Sequence, residues 1–208
     1  MGTSLTAAMG LHRYLFDHHW DGKSLVGPDP GIRFNARAGR FLKSYLRSLN
    51  WADDLVYQQA QGYWVFDNWL LFDLLSDDRY QGIALATCDS ILELQSPEGY
   101  WPYPNPEWKG RIATTEGCYG ALGLLESYER TKQERFLHGA LAWYEFLQDR
   151  IGFRHQAGGL LAANYFAGAK GEGGGVPNVS TLLLWLLARL ARATDDSTFL
   201  DNAEPIVG

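Results

Sequence analysis

Asp67 and Glu116 are the two carboxylates that open apolar helical runs, and each sits among aromatics and amides. Beside Asp67 are Tyr63, Trp64, Asn68 and Trp69. Beside Glu116 are Thr114, Thr115 and Tyr119, following the loop residues Tyr100, Trp101 and Tyr103. A third group is His155, Asn164, Tyr165, Asn178 and Ser180. Glycoside hydrolysis needs two carboxyl groups across the scissile bond, one donating a proton and one acting as nucleophile or base. Burial among Trp and Tyr raises a carboxyl pKa and suits it to the acid role. Asp67 and Glu116 are therefore the candidate catalytic pair. Tyr63, Trp64, Asn68, Tyr100, Trp101, Tyr103, Tyr119, His155, Asn164 and Asn178 are the candidate substrate contacts. Rings can take the apolar faces of a sugar, and amides its hydroxyls. Each also has a plainer reading: an acid at a helix start favours the dipole whether or not it catalyses, and Trp69, Trp143 and Trp185, inside apolar runs, read as packing.

Other chemistries find little support. His18-His19 invites a metal, but adjacent side chains on a helix diverge by about 100°, and histidines at a helix C-terminus have a dipole role. Cys88 and Cys118 lie in apolar runs and read as buried free thiols. There is no phosphate loop, dinucleotide fingerprint, nucleophile elbow or zinc spacing, so neither cofactor nor metal is expected. A net charge of −6 argues against a nucleic-acid partner. No apolar run approaches the length of a membrane span, and without a signal-like opening the expected location is cytoplasmic. Met1-Gly2-Thr3-Ser4-Leu5-Thr6 matches a myristoylation pattern and Asn178-Val179-Ser180 a glycosylation sequon. Both read as chance matches.

The elements that must hold these residues are helical. The 208 residues, 46% hydrophobic, suffice for a sizeable core. Three stretches, 70–84, 124–140 and 186–203, repeat one pattern: an apolar run, a short polar turn, then an aromatic (Tyr80, Phe136, Phe199) opening a second run. A repeat of roughly 60 residues is a helical hairpin with a long return loop, which must stack on its neighbours to bury its apolar face. The runs 66–75 and 181–190 are apolar nearly all round, which predicts inner helices. The run 136–147 keeps a polar face, which predicts an outer one. Helices are expected near 66–75, 79–94, 114–129, 133–149, 179–193 and 196–204, with the outer ones less buried. A T-x-x-E capping box is expected over Thr131–Glu134. An opening helix over 5–19 and an amphipathic helix over 36–49 precede the hairpins. The chain thus reads as one domain, 1–208, with an irregular N-terminal segment over 1–61 and hairpins over 62–208. The aromatic loop 96–112 is expected to be ordered over the end of the bundle.

Alternating inner and outer helices with short outer turns and long aromatic returns resemble the α/α-toroid proteins. Glu134-Arg135-Phe136-Leu137, Asn178-Val179-Ser180-Thr181 and Gly99-Tyr100-Trp101-Pro102-Tyr103 are similar to the six-hairpin carbohydrate-active group, its hydrolases, lyases and sugar epimerases. Gln95, Gly99 and Trp101 resemble the Q-x-x-x-G-x-W repeat of the terpenoid cyclase and prenyltransferase toroids. That match occurs once, and no D-x-D-D stretch accompanies it. The resemblance implies an all-α fold, an incomplete (α/α)6-like toroid, with a sugar or polysaccharide ligand. It leaves open a cyclase-like protein and a non-catalytic helical scaffold or glycan-binding module. A six-hairpin ring needs roughly 330 residues, so the chain reads as a fragment, an incomplete toroid or a piece completed by another chain. An open edge at the last hairpin and self-association are expected. Asp67, Trp101, Glu116 and Asn178 are expected to open onto one cavity.

Overall fold

The computed structural model describes residues 3–28, 54–104, 110–168 and 176–207. The helix expected over 36–49 lies outside them. Helix α1 spans Thr3–His19 and is followed by a minimal antiparallel ladder of β1 (Gly27–Pro28) with β2 (Asp54–Leu55). Three hairpins follow: α2 (Gln58–Leu75) with α3 (Asp78–Leu94), α4 (Thr114–Thr131) with α5 (Glu134–Phe146), and α6 (Pro177–Thr194) with α7 (Thr198–Val207). A π-helical turn, Leu147–Ile151, extends α5, and a small hairpin of β3 (Phe153–His155) and β4 (Leu161–Ala163) returns the chain to α6. No described helix is long and apolar enough to cross a membrane.

The hairpins stack so that α2, α4 and α6 form an inner row, with α2 against α4 and α4 against α6. Each inner helix ends the same way. Ser76, Lys132 and Asp195 adopt the left-handed conformation, φ 53°, 57° and 57°, and their amides return to the carbonyls of Phe72, Tyr128 and Ala191. This closes the last turn and reverses the chain within two or three residues. Asp77 and Asp196 then cap α3 and α7 by accepting from the amides of Arg79 and Thr198. The capping box expected over Thr131–Glu134 does not form. Thr131 is the last residue of α4, its hydroxyl donates to the Ser127 carbonyl, and Gln133 occupies the N-cap of α5.

Central α4 is the most thoroughly covered inner helix, with Leu122, Leu124 and Leu125 fully buried. Helix α6, at the end of the row, is covered no better than outer α5. It buries Leu182, Leu183, Leu186, Leu187 and Leu190, but Trp185 is 43% exposed. The expected contrast between inner and outer helices therefore holds for α4 and fails for α6, which has one described inner neighbour instead of two. Cys88 and Cys118 are buried free thiols.

Glycine sets the distance between α2 and α4. A Cβ built on Gly62 would lie 2.4 Å from the Tyr119 carbonyl oxygen, and one on Gly123 would lie 3.3 Å from the Gly62 Cα. Both obstacles are backbone, so neither can move aside alone. Gly62→Ala is expected to lower stability by about 1–3 kcal/mol through forced separation of the two helices. Urea unfolding of the two proteins measures this, and an unchanged midpoint would show that the row is not tightly set.

Candidate functional site

The amino ends of α2, α4 and α6 lie on the side of the bundle to which the long loops return. The return loops are tied down by hydrogen bonds. The Gln95 side-chain amide donates to the carbonyls of Gly99 and Gly139. Gly99, at φ 93°, lets the loop pass against the Ala142 carbonyl, where a Cβ would sit 2.3 Å away. Trp101 is then driven into the core, 1% exposed, with its indole N–H on the Ile91 carbonyl. The Q-x-x-x-G-x-W stretch is thus a fastening between loop and helices. Its Trp101 faces the core and not the rim expected of it. Tyr100 packs on Phe146 with ring centroids 4.8 Å apart, and Tyr103 meets Tyr57 edge-on. Asn164 is structural too: its side-chain amide donates to the Ile151 carbonyl, and its own carbonyl accepts from the Thr114 hydroxyl. His155 and Asn178 are exposed, on β3 and in the first turn of α6.

Glu116 is 3% exposed, and its carboxylate accepts from the backbone amides of Gln58 and Gln59 at 2.6 and 3.3 Å. It therefore caps α2 from the neighbouring helix, in place of a local N-cap side chain, which α2 lacks. Burial raises its pKa, opposed by those two amides. Asp67 lies nine residues further along α2, about 13 Å of helix axis, and is exposed. Carboxyl pairs in glycosidases lie roughly 5–9.5 Å apart, so the two acids do not flank a common bond in this arrangement. With Trp101 and Glu116 both closed over, the shared cavity expected for Asp67, Trp101, Glu116 and Asn178 is not formed. A void of about 190 Å³ touches Trp101 and Gln58.

What converges instead is the concave face of the inner row. The hydroxyls of Tyr63 on α2 and Tyr119 on α4 are 2.6 Å apart. Burial and the Tyr63 hydroxyl push the Tyr119 phenol up to about 12, so it keeps its proton at neutral pH. Phe66, less than a turn beyond Tyr63, meets Trp185 of α6 with centroids 5.4 Å apart. The ring of Trp185, a residue that sequence reasoning assigned to packing, is thus half-open on this face. Asp67 sits one turn from Tyr63, and partial burial raises its pKa while His12 opposes the shift. Trp64 and Asn68 point elsewhere: Trp64 is buried under the His12 ring, and Asn68 is buried with its amide on the Trp64 carbonyl. At the far end of the concave face, ion pairs link Asp73 to Arg130, Arg130 to Glu126, and Arg189 to both Glu126 and Glu129.

No protein-family model matches the chain, and no curated protein matches it. Solved structures do. A D-mannose isomerase superposes with a TM-score of 0.66 at 13% identity, over 99% of this chain and 50% of that one. The Lin0763 protein from Listeria innocua gives 0.58 at 12%, over 84% and 52%. The α-1,6-mannanase of Salegentibacter sp. HEL1_6 gives 0.52 at 14%, over 95% and 67%. The chain thus spans about half the length of the first two. These likenesses show its fold alone, that of an α/α toroid built from helical hairpins.

The Glu116 cap makes two measurable predictions. Glu116→Ala leaves the first amides of α2 without their acceptor and is expected to cost about 1–2 kcal/mol; Glu116→Gln, which keeps an acceptor, costs less. The sign of the pH effect follows from the raised pKa. The folded chain binds the Glu116 proton more tightly than the unfolded chain, so this group's contribution to stability falls as pH rises from the ordinary 4.5 through the raised value. Glu116→Gln removes that part of the slope. Denaturation midpoints from pH 4.5 to neutral check both: equal losses in the Ala and Gln variants would count against the cap, and a parallel slope in the Gln variant would count against the raised pKa.

Proposed function

We propose that the concave face of α2, α4 and α6 binds carbohydrate, and that the chain belongs to a carbohydrate-active α/α toroid of the hydrolase, lyase or epimerase kind. The observation that carries this reading is the open ring set on one face. Tyr63, Phe66, Tyr119 and Trp185 present aromatic surface around a hydroxyl pair, the mixture of flat apolar contact and directed polar groups that small-ligand sites use. Solved structures of the same fold are named as a mannose isomerase and a mannanase, the latter also solved with α-1,6-mannotriose. Asp67 is the acid we assign to proton transfer, since partial burial favours its protonated form and its position leaves it open to a ligand. Glu116 serves by holding the start of α2, so a second reacting carboxyl would come from further hairpins or a second chain that completes the ring. Asn178, exposed at the start of α6, extends the contact surface toward the loop end, with His155 on the rim. Leu70 and Leu74, 55% and 57% exposed further along α2, favour a second reading in which the ligand is apolar, as in the cyclase toroids.

Titration of the chain with mannose, α-1,6-mannotriose and farnesol, followed by tryptophan fluorescence, separates these readings. The sugar reading expects saturable binding of a sugar, weakened at least about five-fold, or roughly 1 kcal/mol, by Trp185→Ala and by Tyr63→Ala, with helix content retained. Asp67→Asn is expected to spare binding and lower any turnover. Binding of farnesol alone would replace the sugar reading by the apolar one, and no response to any ligand would leave the face as scaffold.

A further inference from the structure

On the side of α2 turned away from α4, α1 and α3 flank an open cleft of about 950 Å³, in which Gly10, Arg13, Asp17 and Gly82 are exposed. Its walls hold glycines that packing does not explain. Gly10 on α1 and Gly82 on α3 line it, and a Cβ built on either would meet nothing within 4 Å. Gly62, Gly99, Gly117 and Gly139 differ, because a Cβ at each would collide with a neighbour. Glycine inside a helix is less stable than alanine. At positions 10 and 82 the visible return for that loss is open space.

The polar groups in this space are few and specific. His12 lines the cleft, with its ring stacked on Trp64 at 4.4 Å and the Tyr80 ring edge-on at 5.2 Å. Its Nε2 lies 2.9 Å from Asn68 Oδ1. Asn68 donates its amide to the Trp64 carbonyl at 2.8 Å, which leaves only the carbonyl oxygen to face His12. Nε2 therefore carries the proton, and Nδ1 has a lone pair and no protein partner. Burial lowers the His12 pKa, which keeps the ring neutral. Arg13 and Asp17, one turn apart on α1, also line the cleft, and neither has an ion-pair partner among the described residues. Arg79 across from them is occupied by Asp77. Between these polar points the surface is apolar and largely aromatic, with Phe16, Trp20 and Tyr80.

We propose that the cleft between α1 and α3 binds a small zwitterion that carries a phenol ring, of the size of a tyrosine-like amino acid. The ring lies among Phe16, Trp20 and Tyr80. The phenol hydroxyl donates to His12 Nδ1. The carboxylate pairs with Arg13 and the ammonium with Asp17, which gives the two unpaired charges opposite partners on one molecule. Adjacent helical residues diverge by about 100°, so His12 and Arg13 hold opposite ends of the ligand. This site is separate from the concave face and does not depend on the sugar reading.

Calorimetric titration of the full chain with L-tyrosine tests it. The expected result is saturable one-to-one binding with a Kd below about 1 mM. L-phenylalanine, without the hydroxyl, and tyramine, without the carboxylate, are expected to bind at least about ten-fold more weakly, each having lost one of the polar contacts. Gly82→Leu and Gly10→Leu, whose first side-chain carbon meets no neighbour, should abolish binding while circular dichroism stays unchanged. Arg13→Gln should weaken tyrosine but not tyramine. The proposal is overturned if tyrosine gives no saturable binding, if binding survives both leucine variants, or if phenylalanine and tyramine bind as well as tyrosine. It is equally overturned if Gly82→Leu alters the sedimentation of the chain without any ligand effect, since a helix of a second copy would then be the occupant.

Discussion

The close approach of α2 to α4 governs the rest of the arrangement. With Gly62 against the Tyr119 carbonyl and Gly123 against Gly62, the two helices have one permitted register. In that register Glu116 reaches the amides that open α2, Tyr63 meets Tyr119, the Trp69 indole donates to the Ser127 hydroxyl, and Asp73 meets Arg130. A slide of one residue would carry every one of these partners about 1.5 Å along the axis and rotate it by about 100°. The cap, the hydroxyl pair and the ion pair would all be lost together. Ser127 also takes Cys88 of α3 at 3.0 Å, so the contact between inner helices extends to the outer layer.

The two ends of the concave face differ in kind as a consequence. Toward the carboxyl ends of the inner helices, Arg130 and Arg192 lie in last turns, where the helix dipole favours cations. They belong to a network that also holds Arg189, whose side chain is only 8% exposed, between Glu126 and Glu129. Such partly buried pairs add little net stability but penalise any arrangement that leaves one charge alone, so they hold α4 and α6 in register. Toward the amino ends the face carries phenols and an indole, with Asp67 one turn beyond Tyr63. Flat rings and neutral donors are left open there, while the charged end is satisfied by its own partners. The end with exposed rings is therefore the end at which the long loops return.

Much of this was legible in the sequence, and the features that were not share a cause. The polar triplets after Leu75, Arg130 and Ala193 marked the hairpin turns because a reversal within two or three residues needs polar, exposed chain. The apolar runs placed five of the six hairpin helices to within a few residues. The start of α2 was missed by eight residues. Gln58, Gln59, Gln61 and Gly62 look like loop locally, and the carboxylate that caps them is 58 positions away. The Thr131–Glu134 capping box failed for a related reason, since α4 continues two residues beyond the expected end and takes Thr131 into its own last turn. Trp185 and Trp101 exchanged expectations: one inside an apolar run is half-open, and one in a polar loop is buried. An apolar periodicity shows that a helix has a covered face, but which residue borders the covering depends on how far the row of neighbours extends.

Asp67 and Glu116 show why a perturbed carboxyl is a weak marker of chemistry by itself. Burial raises both pKa values, and on that measure Glu116, the deeper of the two, looks the better acid. Their hydrogen bonds reverse the order. The Glu116 carboxylate is engaged by two backbone amides that belong to the start of a helix, so lending it to a substrate would loosen α2 and with it the position of Tyr63. Asp67 has no such obligation. Its shift comes from partial burial beside His12, and its side chain stays accessible on a helix that Glu116 holds in place. The buried acid thus acts on the concave face through the geometry it enforces, and the exposed one is not tied to that geometry. Cleavage of a glycosidic bond takes two carboxyl groups, and the Glu116 carboxyl, committed to the start of α2, is not available to be the second.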